Sequence, residues 1–335
     1  MKPSHNPPLI PPCRVHACSI NPIDVKVRAG IYDDYPDYYD HTPLQRDGYH
    51  ILGFDGAGVV ESVGSDVSAL SPGDEVYYSG SPIRHGSNAE FQAVDSRSVA
   101  RKPRFLDWAQ AASMPLTWIT AYEALVERLG IQKGEKAGLL IVNGAGGVGS
   151  VASQIARTVL GMQTVVTTAG RTETENWSRA MGATHVVNHR EDLVPQVRDL
   201  QQQGQIGEIR YVFLTHSTRD YLAPATEICA PFGKICSVVQ TREFPQYGTR
   251  MMAKSQTFVW ELLGTKPWFG IDVGSHGRML EELGALVEAG EVRCHLKERM
   301  GLSLGGLREA HGKVEGGGSV GKNALGVEGV EGAFR

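Results

Sequence analysis

The hydrophobic pattern of the first hundred residues is typical of short β-strands. Apolar runs alternate with turns rich in Gly, Pro, Asn and Asp, and they lie at 15–20, 57–63 and 75–78. The step Ser71-Pro72-Gly73-Asp74 is one such turn signal, because proline presets φ at the second turn position. Residues 1–14 carry five prolines and are expected to form an irregular arm. As far as about residue 103, the pattern predicts a mainly β, barrel-like domain.

Further along, the pattern changes to helical spacing and then to alternation. Apolar residues recur at helical intervals from 106 to 129, where Pro115 is expected to break the segment in two. A domain boundary is predicted near 121–127. Beyond it, strands are predicted at 139–143, 164–168, 184–188 and 211–214, with helices that begin at Val148 and Glu173 and one that ends near Gln203. Such alternation predicts an α/β fold with a doubly wound parallel sheet.

The last part of the chain is expected to hold one helix at 278–289, followed by a glycine-rich tail from Gly316. A tail of this composition is mobile unless its centre, 319–325, pairs back onto the first domain.

Length, charge and cysteine usage narrow the class of partner. A chain of 335 residues is long enough for two domains. A formal net charge of -4 and a pI near 6.3 create no large positive field, so nucleic acid and anionic membranes are disfavoured as partners. Five scattered cysteines without a CxxC pair fit neither a disulfide framework nor a zinc cage. No membrane span or signal peptide is predicted. We therefore expect a cytoplasmic protein with a small-molecule substrate.

The most specific motif is the glycine turn Gly144-Ala145-Gly146-Gly147-Val148-Gly149. It follows the strand-like run 139–143 and opens a helix-like run from Val151, which is the context of a dinucleotide site rather than of an ordinary glycine-rich turn. Glycines allow a tight turn and a close approach to a pyrophosphate, whose charge is met by N–H groups at the helix start. Gly144, Gly146, Gly147, Val148 and Gly149 are the predicted contacts.

The end of the second strand indicates NADPH. A site specific for NAD places an acidic residue there, about 20 residues after the turn, for the ribose 2′-hydroxyl. This chain has Thr167-Thr168-Ala169-Gly170-Arg171-Thr172 instead, which offers hydroxyls, open backbone and a guanidinium suited to a 2′-phosphate. Thr168, Gly170 and Arg171 are therefore predicted to bind NADPH. The alternative is a solvated Arg171 and an enzyme that accepts both cofactors.

Several motifs together resemble the medium-chain dehydrogenase/reductase superfamily, in its quinone-oxidoreductase-like branch of zinc-type alcohol dehydrogenase-like proteins. Besides the glycine turn, the motifs follow the family's order at 19–28, 53–61, 72–76, 86–91 and 307–311. The resemblance implies a GroES-like catalytic domain, 1–122 and 258–335, split around a Rossmann domain at 123–257, with the active site in the cleft between them. Relatives are often dimers, so a homodimer is also expected.

The resemblance allows the zinc positions to be compared residue by residue. Zinc-dependent members supply a Cys and a His-Glu pair where this chain has Asn21, Phe54 and Asp55. An amide and a phenyl ring are poor ligands, and catalytic zinc needs three protein ligands. The four-cysteine structural lobe is missing as well. No metal is predicted.

Without a metal, a developing alkoxide lacks its usual stabilisation, so reduction of a conjugated double bond is the easier chemistry. Hydride from the nicotinamide attacks the β-carbon, and charge collects on a carbonyl oxygen that hydrogen-bond donors stabilise. The predicted function is a zinc-independent, NADPH-dependent oxidoreductase acting on an enone, quinone or enoyl thioester. The alternatives are a zinc-dependent alcohol dehydrogenase and a non-catalytic NADPH-binding or scaffold protein.

The resemblance nominates Asn21 and Lys26 as catalytic, because the corresponding residues of zinc-independent relatives lie near the nicotinamide and the reacting carbonyl. The alternative is a turn at Asn21 capped by Asp24, with Lys26 a solvated charge. Tyr32, which begins the aromatic and acidic loop 32–40, is a candidate carbonyl donor. A solvated loop is the alternative there.

Two more residues complete the predicted site. Thr117 resembles the family's cofactor-facing threonine, with a helix cap as the alternative. Lys322 of the glycine-lysine pair is counted among the cofactor-binding residues. The chain also departs from its relatives, which have a longer N-terminal segment and an apolar strand after the glycine-lysine pair. Both departures fall in the catalytic domain and neither in the cofactor-binding domain.

Overall fold

The computed structural model describes residues 9–32, 48–241 and 248–330. The chain divides into two compact units. Unit 1 consists of Met1–Ile119 and Leu263–Arg335, and unit 2 of Thr120–Leu262. The sequence predicts the limits of the functional domains near residues 122 and 257. These limits stay a prediction, because the division into compact units does not test domain function.

Unit 1 is built on a seven-stranded sheet. Its strands run in the order β12-β13-β1-β2-β3-β5, with β4 also paired to β1, and all pairs but β12–β13 are antiparallel. Their bounds are β1 (Leu9–Ser19), β2 (Asp55–Val60), β3 (Glu75–Ser79), β4 (Phe91–Asp95), β5 (Val99–Arg101), β12 (Leu296–Gly301) and β13 (Lys322–Gly326). This is the mainly β unit that the sequence predicts.

The expectation of an irregular arm up to residue 14 is wrong from Leu9 onward, because β1 begins there. The two prolines at 11 and 12 coincide with a shift of the β1–β4 register between Ile10 and Cys13. A register shift leaves backbone positions outside the ladder, where the missing proline N–H costs little. The carbonyl of Pro12 still accepts from Glu61 N at 3.2 Å. Residues 1–8 of the predicted arm lie outside the described residues.

The tail of unit 1 also departs from expectation. After the glycine-lysine pair, β13 is buried at all five positions and pairs with β1, Leu325 opposite Cys18 and Ala324 opposite Ser19. The prediction that an apolar strand is lacking there is therefore wrong, and the alternative that the tail pairs back is confirmed. Cys18, Ile20 and Leu325 form a buried cluster with Ala310.

The α-helices that begin among the described residues of unit 1 are α1 (Pro22–Arg28), α2 (Trp108–Ala112), α3 (Pro115–Tyr122), α9 (Thr265–Phe269), α10 (Ser275–Glu288) and α11 (Leu304–Gly316). Asp107 caps α2 through a capping box with Gln110. Pro115 is the first residue of α3, which confirms the predicted break, since proline fits the first helical turn but not a helix interior. The helix predicted at 278–289 is confirmed as α10.

Unit 2 holds a six-stranded parallel sheet in the order β11-β10-β9-β6-β7-β8. Its strands are β6 (Gly138–Val142), β7 (Val165–Ala169), β8 (His185–Asn188), β9 (Ile209–Leu214), β10 (Lys234–Ser237) and β11 (Thr257–Trp260). The intervening helices are α4 (Gly147–Gln154), α5 (Thr172–Ala180), α6 (Leu193–Gln202), α7 (Thr218–Ile228) and α8 (Gly248–Ala253). The strand order reverses between β6 and β9, so the predicted Rossmann topology is confirmed.

The core of unit 2 explains why its strands read as apolar runs. Leu140, Val142, Val166, Val212 and Leu214 lie in one buried cluster with residues of the flanking helices. Parallel strands covered on both faces need apolar side chains at successive positions. In the part of the chain that the structure describes, no helix has the length and apolar character needed to cross a membrane.

Candidate functional site

The glycine turn connects β6 to α4 in unit 2. Asn143 takes a left-handed conformation with φ of 66°, and Gly146 is the N-cap of α4. A Cβ on Gly149 would overlap the carbonyl oxygen of Asn143, and one on Gly144 would overlap Thr167. Glycine is therefore required at both positions. The first N–H groups of a helix have no intrahelical partner, so those of Gly147, Val148 and Gly149 could donate to an anion at the start of α4.

Thr168, at the end of β7, holds the turn in place. Its hydroxyl accepts from Asn143 N at 2.9 Å, and its carbonyl accepts from Gly144 N at 3.2 Å. The hydroxyl lies 3.4 Å from His189 Nδ1 as well. Thr168 is 1% exposed. The structure therefore places Thr168 behind the glycine turn, where it fixes the backbone that would meet the pyrophosphate.

Basic side chains gather where β7 and β8 end. Arg171 is the N-cap of α5, and a Cβ on Gly170 would lie 2.5 Å from His189 Nε2 and 3.1 Å from Arg190 Nε. Burial lowers the pKa of His189, and the nearby charges of His216, Arg190 and Arg171 lower it further. The sequence prediction named Arg171 but neither His189 nor Arg190. Both residues directly follow β8, and the carboxyl ends of the parallel strands β7 and β8 lie at the same edge of the sheet. Their position after a predicted strand is the sequence feature that could have identified them.

In unit 1, Asn21 and Asp24 begin α1. Asn21 is the N-cap, and its N–H donates to Asp24 Oδ2 at 2.9 Å. Gly53 N donates to the other carboxylate oxygen, also at 2.9 Å. Burial raises the pKa of Asp24 to about 7, opposed by these hydrogen bonds and by Lys322. The expectation that Asp24 caps a turn at Asn21 is confirmed, with a helix after the turn.

Asp55 and Lys322 form a buried ion pair at the centre of unit 1. Asp55 Oδ2 accepts from Ser19 Oγ at 2.7 Å and Asn21 Nδ2 at 2.8 Å, while Oδ1 accepts from Leu116 N at 2.7 Å. The Lys322 ammonium donates to Asn21 Oδ1 at 2.6 Å, to the carbonyl of Ile20 at 3.0 Å and to Asp55 Oδ2 at 3.3 Å. We call Ser19, Asn21, Asp24, Asp55 and Lys322 the Asp55–Lys322 network.

Burial shifts both pKa values of this ion pair toward the neutral forms. It raises the pKa of Asp55 and lowers that of Lys322, and each charge opposes the shift of the other. Lys322 is 5% exposed and its ammonium already has three acceptors in unit 1. The contact of Lys322 with the cofactor stays a prediction. The structure does not favour it, because the three hydrogens of the ammonium already have acceptors within the protein.

Lys26 and Tyr32 lie on α1 and just after it. Burial lowers the pKa of Lys26 and raises that of Tyr32 to about 12, so the phenol stays protonated at neutral pH. Tyr32 is 7% exposed. The remainder of the aromatic loop, 33–40, lies outside the described residues. Thr117 donates to Met114 O and lies 3.0 Å from His295 Nε2.

The residues at the expected zinc positions make other contacts in the structure. Asn21 and Asp55 both accept from the Lys322 ammonium, and Phe54 offers no donor atom. Across the described ranges, no group of three or more His, Cys, Asp or Glu side chains could hold a metal ion.

Comparison with known proteins identifies relatives along most of the chain. Residues 13–104 match the family model described as alcohol dehydrogenase GroES-like domain, and residues 181–325 match the one described as zinc-binding dehydrogenase. A zinc-type alcohol dehydrogenase-like protein of Staphylococcus epidermidis is 38% identical over 321 residues, which are 94% of this chain and 90% of that protein.

Two further similarities bear on chemistry and fold. The chloroplastic NADPH-dependent alkenal/one oxidoreductase of Arabidopsis thaliana is 32% identical over 286 residues, 84% of this chain and 62% of that protein. The crystal structure of a putative zinc-dependent alcohol dehydrogenase protein from Rhizobium etli CFN 42 superimposes with a TM-score of 0.86 at 39% identity, covering 98% of this chain and 92% of that one.

Proposed function

Because this chain belongs to the medium-chain dehydrogenase/reductase superfamily, we propose that it reduces the conjugated double bond of a small carbonyl compound with NADPH and without zinc. One observation carries this proposal. The Lys322 ammonium lies 2.6 Å from Asn21 Oδ1 and 3.3 Å from Asp55 Oδ2, at two of the positions where zinc-dependent relatives place ligands. A lysine cation next to these oxygens stands where a metal ion would have to bind, and two cations at this distance repel each other.

Unit 2 has the features that NADPH requires. The N–H groups of Gly147, Val148 and Gly149 suit the pyrophosphate, and the cluster of Arg171, His189 and Arg190 suits the 2′-phosphate. When bound, NADPH supplies the hydride. The charged groups that shift the pKa of His189 include no carboxylate. This favours NADPH over NADH, because an acidic residue would repel the 2′-phosphate.

Unit 1 would supply the hydrogen bonds to the substrate carbonyl. Both polar atoms of the Asn21 amide are engaged within the Asp55–Lys322 network, so Asn21 is a positioning residue in this proposal. Lys26 and Tyr32, which the sequence nominates, are the donors that we propose for the developing oxyanion. The phenol of Tyr32, with its pKa raised to about 12, donates without losing its proton. The homodimer and the cytoplasmic location expected from the sequence are also part of this proposal.

Steady-state NADPH oxidation tests this function. The purified full chain is assayed with alkenals, enones, quinones and enoyl thioesters, with and without a chelator. We expect turnover that the chelator leaves unchanged, and a kcat that falls about 10²-fold in Tyr32→Phe. Near-stoichiometric zinc together with alcohol oxidation would refute the proposal in favour of a zinc enzyme. Tight NADPH binding without turnover on any of these substrates would favour a non-catalytic protein.

The cofactor preference has a separate test. In Arg190→Ala and Arg171→Ala, we expect the Kd for NADPH to rise about 10- to 100-fold while the Kd for NADH is unchanged, because a lost charge-assisted hydrogen bond affects only the 2′-phosphate. Arg198→Ala removes a surface guanidinium of α6 that pairs with Glu227 and serves as the matched control. An equal rise for both cofactors in the site variants would contradict the assignment.

A further inference from the structure

His189 belongs to the basic cluster with Arg171 and Arg190, and it is the member of that cluster whose charge can change near neutral pH. It directly follows β8 and is half-buried. A Cβ on Gly170 would lie 2.5 Å from His189 Nε2, so the absence of a side chain at the end of β7 leaves room for the imidazole. Because Gly170 and Arg171 are the residues predicted to meet the 2′-phosphate, Nε2 lies beside the predicted position of that group.

A chain of hydrogen bonds from the glycine turn determines which ring nitrogen carries the hydrogen. Thr168 Oγ accepts from Asn143 N at 2.9 Å, which leaves the hydroxyl hydrogen for His189 Nδ1, 3.4 Å away. In the neutral ring, Nδ1 is then the acceptor and Nε2 carries the hydrogen beside Gly170. After protonation Nδ1 becomes a donor, and the Thr168 hydroxyl has a second lone pair to accept from it. The ring can therefore take up a proton without losing this partner.

Without a bound anion, the protonated form of His189 is disfavoured. Burial lowers its pKa, and three neighbouring positive charges lower it further. Each comes from a different strand end: His216 after β9, Arg190 after β8 and Arg171 after β7. Among the described residues, no carboxylate shifts this pKa. A dianionic phosphate at the same place would supply the missing negative charge and favour the protonated ring.

We propose that His189 is a specificity-determining residue that holds the 2′-phosphate of NADPH as an imidazolium, so that the preference for NADPH over NADH increases as the pH falls. This inference rests on the proposed use of NADPH and adds a regulation of that same site. Because binding of the phosphate takes up a proton at the ring, NADPH binds more tightly at lower pH. NADH has a hydroxyl in place of the phosphate, so its binding takes up no proton at this ring.

Isothermal titration calorimetry of the full chain with NADPH and with NADH detects the proton. Titrations at about pH 7 in two buffers of different ionisation enthalpy give the number of protons taken up on binding. We expect NADPH binding to take up a measurable fraction of a proton and NADH binding to take up none. The 2′-phosphate, whose second pKa is about 6, releases protons when it binds as the dianion, so uptake identifies a group of the protein. Proton release, or no proton exchange, on NADPH binding would overturn the proposal.

Kd values for both cofactors at about pH 6.5 and about pH 8 assign the proton to His189. In the wild type, we expect the ratio of the Kd for NADH to the Kd for NADPH to fall about three- to ten-fold between these two pH values. His189→Gln keeps an N–H donor without a titrating ring and should lose this fall. His185→Gln, at the opposite end of β8, is the matched control and should keep it.

His216→Gln distinguishes the two neighbouring histidines. It removes a charge that lowers the pKa of His189, so we expect the pH dependence to persist with its midpoint at higher pH. Persistence of the dependence in His189→Gln, with its loss in His216→Gln, would refute the assignment to His189. A preference for NADPH that is equal at both pH values refutes this inference alone, whereas the absence of any preference also refutes the proposed use of NADPH.

Discussion

Replacement of Lys322 by methionine tests the central ion pair of unit 1. Methionine has a similar length and no charge, so the substitution removes the ammonium and keeps most of the packing. Three hydrogen bonds are lost, to the carbonyl of Ile20, to Asn21 Oδ1 and to Asp55 Oδ2. The Asp55 carboxylate, 0% exposed, then has no compensating cation.

The magnitude follows from what remains around Asp55. Removing one partner of a buried ion pair costs about 3–5 kcal/mol. Asp55 still accepts from Ser19 Oγ, Asn21 Nδ2 and Leu116 N, so we expect the lower end, about 3 kcal/mol. For a unit of this size that corresponds to a fall in Tm of about 6–12 °C. The double variant Lys322→Met/Asp55→Asn removes both charges and should recover about 1–3 kcal/mol of this loss.

Differential scanning calorimetry of the full chain measures both effects, and saturating NADPH identifies the transition of unit 2 because a ligand stabilises the unit that binds it. Without Lys322, the pKa of folded Asp55 rises further above its unfolded value. The folded variant therefore takes up a proton as the pH falls, and the loss of stability should be smaller at pH 5 than at pH 8. Lys297→Met, an exposed position on β12, is the control. A loss below about 1 kcal/mol, or one independent of pH, would refute the reasoning.

Two further predictions concern unit 2. Gly149→Ala should abolish measurable NADPH binding in a fluorescence titration and lower the Tm of unit 2, because the new Cβ overlaps the carbonyl of Asn143; wild-type affinity would contradict the close approach. Glu261 is 4% exposed and pairs with Arg128 at 3.0 Å, and burial, followed by the nearby carboxylate charge of Glu123, raises its pKa above the usual 4.5. Since the folded state keeps a proton that the unfolded state releases, stability should fall by up to about 1.4 kcal/mol per unit as pH rises above about 5. Glu261→Gln should flatten this slope in urea titrations at pH 5–8, and an unchanged slope would contradict the raised pKa.

The elements that the sequence predicts well are those whose pattern is local. The strands of the Rossmann sheet are covered on both faces, so their apolar runs identify them without knowledge of the partners. Pro115 divides α2 from α3 because the proline ring excludes a helix interior whatever surrounds it. The glycine turn is predictable for the same reason, since the space around Gly144 and Gly149 is limited by residues close in sequence or on the next strand.

The features that the sequence missed depend on tertiary partners. β1 begins at Leu9 despite two prolines, because β4 supplies partners for Leu9 and Ile10. Lys322 and Asp55 are separated by 267 residues, and no local pattern shows that a strand from the tail brings the ammonium to the carboxylate. His189 directly follows β8, but it joins the basic cluster only because the end of β7 lies next to it, and the sequence around β8 does not show that neighbour.

The saturation of Lys322 limits the chemistry that unit 1 can perform. A zinc ion with an open coordination position polarises a carbonyl or an alkoxide directly. The Lys322 ammonium has three hydrogens and three acceptors within the protein, so it orders Asn21 and Asp55 but has no hydrogen left for a substrate oxygen. Stabilisation of a developing oxyanion must then come from other donors, of which Tyr32 and Lys26 are the candidates in unit 1. Hydrogen-bond donors stabilise the delocalised charge of an enolate more readily than the localised charge of an alkoxide, and on this ground we propose reduction of a conjugated double bond rather than oxidation of an alcohol.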